Sequence, residues 1–178
     1  NVVHVDGSVN PIRDKEIVDT ELQLKDLDTI ESRMNKVIKQ AQTGGDKTAK
    51  RLYEVLLKYK TALEQGRSAR TVVFDNLEDK KLAKDLFLLT DKPVLYVCNV
   101  DESSAKSGNT YVDQVRDAIK DENAQMLVVA AKIESEIAEL ESYEDRELFL
   151  NEIGLQESGV NRLIRAAYKL LNLETYFT

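Results

Sequence analysis

Asn99 and Glu102 close an apolar run, Pro93-Val-Leu-Tyr-Val-Cys-Asn99-Val-Asp-Glu102, and offer an amide and a carboxylate on one short segment. An amide carries donors and an acceptor, whereas an ionised carboxylate only accepts. On one loop such a pair can hydrogen-bond a purine. A shorter carboxylate, an Asp at the fourth position, could accept from both N1 and N2 of guanine. Glu102 is one methylene longer, and adenine has neither an N1–H nor an N2 amine to meet it. Guanine selectivity should therefore be lost, and adenine tolerated or preferred. Taken alone, the same residues also describe a turn after a buried strand, because Asn and acidic residues often end strands.

The elements that must position this segment follow from periodicity. Pro93 to Cys98 reads as a buried strand, about 111–121 as a helix, and Ala124-Gln-Met-Leu-Val-Val-Ala-Ala131 as a second buried strand. Strand, helix, strand in that order is βαβ logic, with a parallel sheet and a right-handed crossover. Parallel sheets place ligand sites at the carboxyl ends of their strands. Asn99 to Glu102 ends the first, and Ala130-Ala-Lys-Ile-Glu134 ends the second. Helices are expected near Ile133–Leu140, Arg146–Ile153 and Val160–Leu171.

Before the first strand the period is helical. Leu27, Ile30, Met34, Val37 and Ala41 recur at spacings of three and four, and Ala49, Leu52, Leu56, Tyr59 and Leu63 repeat the pattern. Gly44 or Gly45 can end the first helix and Asp46 can cap the second. Two matched seams joined by a short turn predict an antiparallel helical hairpin, an arm about 30 Å long at roughly 1.5 Å per residue. Gly66-Arg-Ser-Ala-Arg70 breaks it, and a third helix from about Leu77 to Leu89 leads back to Pro93. Residues 1–17 read as a strand, Val2 to Val5, and an irregular tail through Pro11. The organisation expected is thus residues 1–17 and 92–178 as one unit, with residues 18–91 inserted as a helical domain.

Composition narrows the classes. Charge reaches 32% with four Phe, seven Tyr and no Trp, which suits a helix-rich chain with long exposed faces. The longest apolar runs are strand-sized, so no membrane span or signal peptide is expected. Cys98 is the single cysteine and lies in the first strand, which reads as a small core residue in a cytoplasmic chain. His4 is the single histidine, and no cluster offers a metal site.

Asn99-Val-Asp-Glu102 resembles the Asn-x-x-Glu motif of the YchF/Obg-like ATPases, P-loop NTPases related to the Obg GTPases, whose commoner relatives carry Asn-Lys-x-Asp. The likeness extends through Asn1-Val-Val-His-Val-Asp-Gly-Ser-Val-Asn-Pro11, Asp19-Thr-Glu-Leu22, Asp26-Leu-Asp28, Gly44-Gly-Asp-Lys47, Leu89-Thr90, Tyr111-Val-Asp-Gln-Val-Arg116 and Gly159 to Thr178. It implies an α/β fold, part of a P-loop NTPase-type parallel sheet with an inserted antiparallel coiled-coil arm. It also implies that Ala130 and Ala131 occupy the place of the Ser-Ala-Lys motif, where a backbone N–H contacts the base, and that Val100 flanks the ring. The base-binding set is then Asn99, Val100, Glu102, Ala130 and Ala131, for ATP or GTP.

No Gly-x-x-x-x-Gly-Lys-Ser/Thr occurs, nor an Asp-x-x-Gly switch. The resemblance implies that the phosphate loop, both switches and the Mg²⁺ ligands belong to a preceding region, and a small ubiquitin-like TGS domain to a following one. The chain alone should hydrolyse nothing, because the amides that hold β- and γ-phosphates are missing. Neighbouring strands missing from the sheet would leave an edge able to drive dimerisation.

Charge supplies a separate signal. Residues 18–91 hold 14 Lys/Arg and 13 Asp/Glu, whereas the remaining 104 hold 11 and 19. Between Arg33 and Lys60 eight basic residues face only Asp46 and Glu54. A basic tip on an acidic protein suits a polyanion, although a solvated lysine-rich helix face has the same composition. Lys36, Lys39, Lys47, Lys50, Arg51 and Lys58 are the candidates. The resemblance implies a ribosome and ribosomal RNA as the partner, met through phosphates. An alternative is an RNA-binding coiled-coil adaptor without nucleotide chemistry.

Overall fold

The computed structural model describes residues 7–43 and 46–176. The expected strand at Val2–Val5, His4 within it and the Gly44–Gly45 helix stop lie outside the described residues. The chain forms two compact units, one of Arg13–Lys92 and one joining the residues up to Ile12 with Pro93–Thr178.

The first unit is helical. Helix α1 spans Pro11–Thr43 and α2 spans Lys47–Glu64. Residues Pro11 to Ile17 are helical rather than an irregular tail. Proline at a first helical position has no N–H to lose and a φ already suited to the helix, and Asp14 complements the positive end of the helix dipole. Asp46 caps α2 by accepting the N–H groups of Thr48 at 2.9 Å and Ala49 at 3.1 Å. The apolar faces of both helices meet in one core of Ile30, Val55, Leu56, Tyr59 and Leu63 with Ala69, Phe74, Ala83, Leu86 and Leu88. Leu27, Met34, Val37 and Leu52 pack against it. Each fully buried Leu or Ile contributes about 1.5–3 kcal/mol.

Helix α3 spans Leu77–Lys84, shorter than the periodicity suggests. Beyond Lys84 the chain turns through Phe87, whose φ is 53°, and this places Leu86 and Leu88 in the core while Phe87 stays exposed. The backbone after that turn is held by Asp26, a carboxylate only 2% exposed. Asp26 accepts hydrogen bonds from Leu89 N, Thr90 N and the Thr90 hydroxyl, all at 2.7 Å. The hydroxyl oxygen of Thr90 in turn accepts from Ala69 N at 2.9 Å, and Arg70 donates to the Thr90 carbonyl at 2.9 Å. Nearby Tyr59 is buried, and burial together with the charges of Asp91 and Asp26 pushes its hydroxyl above the ordinary tyrosine range.

The second unit is α/β. Strands β1 (Leu95–Asn99) and β2 (Gln125–Val129) pair in parallel with Leu95 opposite Gln125 and Asn99 opposite Val129. Helix α4 (Thr110–Ala118) connects them, capped by Asn109, whose oxygen accepts from Tyr111 N and Val112 N. Helix α5 (Ala131–Glu139) follows β2 without a loop, and α6 (Tyr143–Glu152) and α7 (Gly159–Leu170) complete the unit. Helix α6 begins earlier than expected because Ser142 caps it, accepting Asp145 N at 3.0 Å. The core under the strand ends is Ala105, Ala130, Ile133 and Ile137, with Val100, Phe149, Leu150 and Ile153 packed on it. No helix among the described residues is long and apolar enough to cross a membrane.

Replacing Asp26 by Ala leaves three donors without their acceptor in a buried position. The expected loss is about 3 kcal/mol of stability, read as a lower urea midpoint for this 178-residue chain. An unchanged midpoint would show that water replaces the carboxylate.

Candidate functional site

Asn99 and Ala131 are brought together by the strand register. With Asn99 level with Val129, the ladder continues one step further as Val100 N donates to Val129 O at 2.8 Å. Both strands then leave the sheet at the same rim. Asn99 Oδ1 bridges them by accepting the N–H of Ala131 at 3.0 Å. That N–H belongs to the first turn of α5, one of the groups a helix cannot satisfy itself. Ala130, at the cap position, has no side-chain oxygen to help. Because Ala131 donates, the Asn99 oxygen must face α5 and its NH₂ the other way. That NH₂ makes no hydrogen bond among the described residues.

Glu102 is carried by a 3₁₀ turn, Glu102–Ser104, that Asp101 caps. The Asp101 carboxylate accepts the Ser103 hydroxyl at 2.7 Å and Ser104 N at 2.9 Å, and these bonds hold it below the ordinary carboxylate range. The Glu102 carboxylate is exposed and lies 3.6 Å from Lys132 Nζ. An acceptor therefore stands on the turn after β1 and a donor on the first turn of α5.

The remaining expected residues divide. Ala130 is buried at 3% exposure, and its carbonyl accepts Glu134 N, so it shapes the turn. The Ala131 N–H, expected on a base, is engaged by Asn99. The Val100 side chain packs into the core rather than lying open, leaving its backbone as what it can offer. Cys98 is half-buried, and burial pushes its thiol up against the opposing charge of Arg116.

Sequence reasoning missed Asp101, Lys132 and the link between α5 and α7. Glu134 Oε1 accepts Gly159 N at 2.7 Å, and a Cβ on Gly159 would stand 2.7 Å from that oxygen and 3.0 Å from Val129 Cγ1. A side chain there would require the Glu134 carboxylate to move. The signal for Asp101 was present, since Asp followed by Glu-Ser-Ser is a capping pattern.

In the helical unit, Lys36, Lys39, Lys47 and Lys50 are exposed. Arg51 is half-buried and pairs with Asp79 at 2.6 Å and with Glu78. The hydrogen bond to Asp79 is the main reason its guanidinium is raised, and the same contact lowers Asp79. Lys58 Nζ lies over the Phe74 ring, 5.3 Å from its centre.

Comparison with known proteins decides the family. No family model matches the chain. The ribosome-binding ATPase YchF of Bacillus subtilis is 50% identical over 180 residues, covering 100% of this chain and 48% of that protein. The protein of the same name from Escherichia coli O157:H7 is 46% identical over 178 residues, again covering 100% and 48%. The chain belongs to the YchF, Obg-like family. Obg-like ATPase 1 of Caenorhabditis elegans is 33% identical across 100% of the chain and 45% of its own length. The YchF GTPase of Schizosaccharomyces pombe superimposes with a TM-score of 0.84 at 24% identity, over 97% of this chain and 47% of that one, which shows the shared α/β fold. The chain spans about half the length of the curated YchF relatives it matches.

If the Asn99 oxygen holds the two strand ends together, Asn99→Ala should speed amide exchange at Ala131 by about fivefold, the worth of one net hydrogen bond. Asn99→Asp keeps the acceptor and should leave it slow. Equal rates in both variants would mean that α5 orders its own first turn.

Proposed function

We propose that this chain is the base-recognition half of a purine nucleotide-binding domain together with an inserted helical arm, from a YchF-type nucleoside triphosphate hydrolase. The observation that carries the reading is the Asn99–Ala131 hydrogen bond, which ties both strand ends into one rim and leaves the Asn99 NH₂ uncommitted, with the exposed Glu102 carboxylate on the turn that follows the same strand. This set suits a purine: the NH₂ donates to a ring nitrogen, and the carboxylate accepts from an exocyclic amine or ring N–H. Glu102 in place of Asp makes ATP tolerated or preferred over GTP. Asn99, Val100, Glu102, Ala130 and Ala131 are the base-binding residues, with Val100 acting through its backbone and Ala130 through the turn it forms. The relatives' printed name, ribosome-binding ATPase, supports nucleotide chemistry, and a cytoplasmic location is part of the same proposal.

Phosphates and Mg²⁺ would be held elsewhere, since the sequence has no Gly-x-x-x-x-Gly-Lys-Ser/Thr. The chain by itself binds a base and does not hydrolyse. The test is a titration of the ¹⁵N-labelled chain with ATP and GTP, following the amides of Asn99 to Glu102 and of Ala130 to Lys132. Shifts stronger with ATP are expected, and Glu102→Ala should change the ATP-to-GTP ratio. A ratio that does not move would remove Glu102 from base selection.

The arm has a second role. Glu31 of α1 meets Lys60 of α2 at 2.7 Å, and Gln23 reaches the Gly66 carbonyl at 3.2 Å, so the contacts step in opposite directions along the two helices. We read this as an antiparallel coiled-coil hairpin that carries Lys36, Lys39, Lys47 and Lys50 toward ribosomal RNA. Arg51 and Lys58 serve the arm's own packing more than the partner. Replacing Lys36, Lys47 and Lys50 by Ala should lower the slope of log affinity against log salt by roughly 0.7–0.9 per lysine. An unchanged slope would mean that the lysines are only a solvated face.

A further inference from the structure

We infer that Lys132 is a base-contacting residue, which together with Glu102 reads the hydrogen-bonding edge of the purine; this rests on the base-site reading above. Lys132 is the second residue of α5, immediately after the Ala131 N–H that Asn99 holds. Its Nζ lies 3.6 Å from Glu102 Oε2 and 3.7 Å from Glu136 Oε1. The Lys132 and Glu102 side chains are 76% and 57% exposed, so their attraction is screened and contributes little to folding. Both heads can exchange this contact for a ligand at small cost. The backbone beneath them is far better held, through Val100 N to Val129 O at 2.8 Å and through the Asp101 cap.

The chemistry of the two bases explains why a donor beside the acceptor matters. Adenine presents a 6-amino donor next to the N1 acceptor. A carboxylate alone can take the amine but leaves N1 facing another acceptor. An ammonium beside it supplies the missing donor. Guanine presents the O6 acceptor next to the N1–H donor, so the same pair serves in reversed order, Lys132 toward O6 and Glu102 toward N1–H. A site with Glu102 and no cation would meet only half of either edge. Glu136, one turn along α5, is a second carboxylate near the ammonium, at 3.7 Å.

The experiment is a cycle of protein and ligand changes on the ¹⁵N-labelled chain. ATP and 1-deaza-ATP, which carries a C–H in place of N1, are titrated into the native sequence and into Lys132→Met, with the Asn99 and Ala131 amides as reporters. Lys132→Met should weaken ATP by about fivefold and leave 1-deaza-ATP unchanged. Lys132→Arg should recover most of the ATP affinity. A loss that is equal for both ligands would mean that Lys132 acts only as a charge near the phosphates, and no loss at all would mean that it acts on neither. Either result overturns the inference and leaves the base site standing. A folded chain with no ATP-dependent shift at Asn99 or Ala131 overturns the base-site reading, and this inference with it.

Discussion

Everything proposed for the nucleotide rim depends on two parallel strands ending level. In a parallel pair both chains leave the sheet in the same direction, so whatever follows them shares one edge. Here Asn99 stands opposite Val129, and the next residues are a turn on one side and the first turn of a helix on the other. A slip of one residue would turn Asn99 to the opposite face and put Val100 or Cys98 in its place. The Asn99 amide makes that register chemically visible. Its oxygen finds a helix N–H only when the strands end together.

A second buried group answers the problem posed by a long helical segment between the first residues of the α/β unit and β1. Asp26 joins the middle of α1 to Leu89 and Thr90, across a sequence separation of 63 to 64 residues. Burying a carboxylate is costly unless its oxygens are filled, and here three donors fill them. Thr90 passes the constraint on to Ala69 and Arg70, so one network ties the entry helix, the turn after α2 and the return segment. The left-handed Phe87 belongs to the same account. A non-glycine residue at φ 53° is strained, and it is tolerated where Leu86 and Leu88 on either side are both drawn into the core.

Much of this could be read from the residues. The apolar spacing of Leu27, Ile30, Met34 and Val37 on one helix and Leu52, Leu56, Tyr59 and Leu63 on the other marks the faces that share a core, because a side chain every three or four positions has no other place to go. The two strands were legible for a similar reason, as short apolar runs with turn chemistry at their ends. Boundaries were less so. Helix α3 stops at Lys84 although its pattern continues, because a tertiary hydrogen-bond network claims Leu89 and Thr90. The role of Arg51 was also hidden. Counting charge between Arg33 and Lys60 leaves out Glu78 and Asp79, which are distant in sequence and adjacent in the fold. Lys132 was invisible for the same reason, since nothing local says that it meets Glu102.

The distribution of order within the rim has a functional logic. Its backbone is fixed by short hydrogen bonds: Val100 to Val129, Ala131 to Asn99, Ser104 to Asp101, and Gly159 to Glu134. The side chains that would touch a base, Glu102 and Lys132, are exposed and joined only by a contact at 3.6 Å. Recognition groups held this loosely lose more freedom on binding than preorganised ones, which limits affinity for the base alone. The same looseness lets a donor and an acceptor exchange positions, which a rigid aspartate reading N1 and N2 of guanine cannot do. A rim built this way gives up strict base selection in return for accepting two purines, and it leaves most of the binding energy to whatever holds the phosphates.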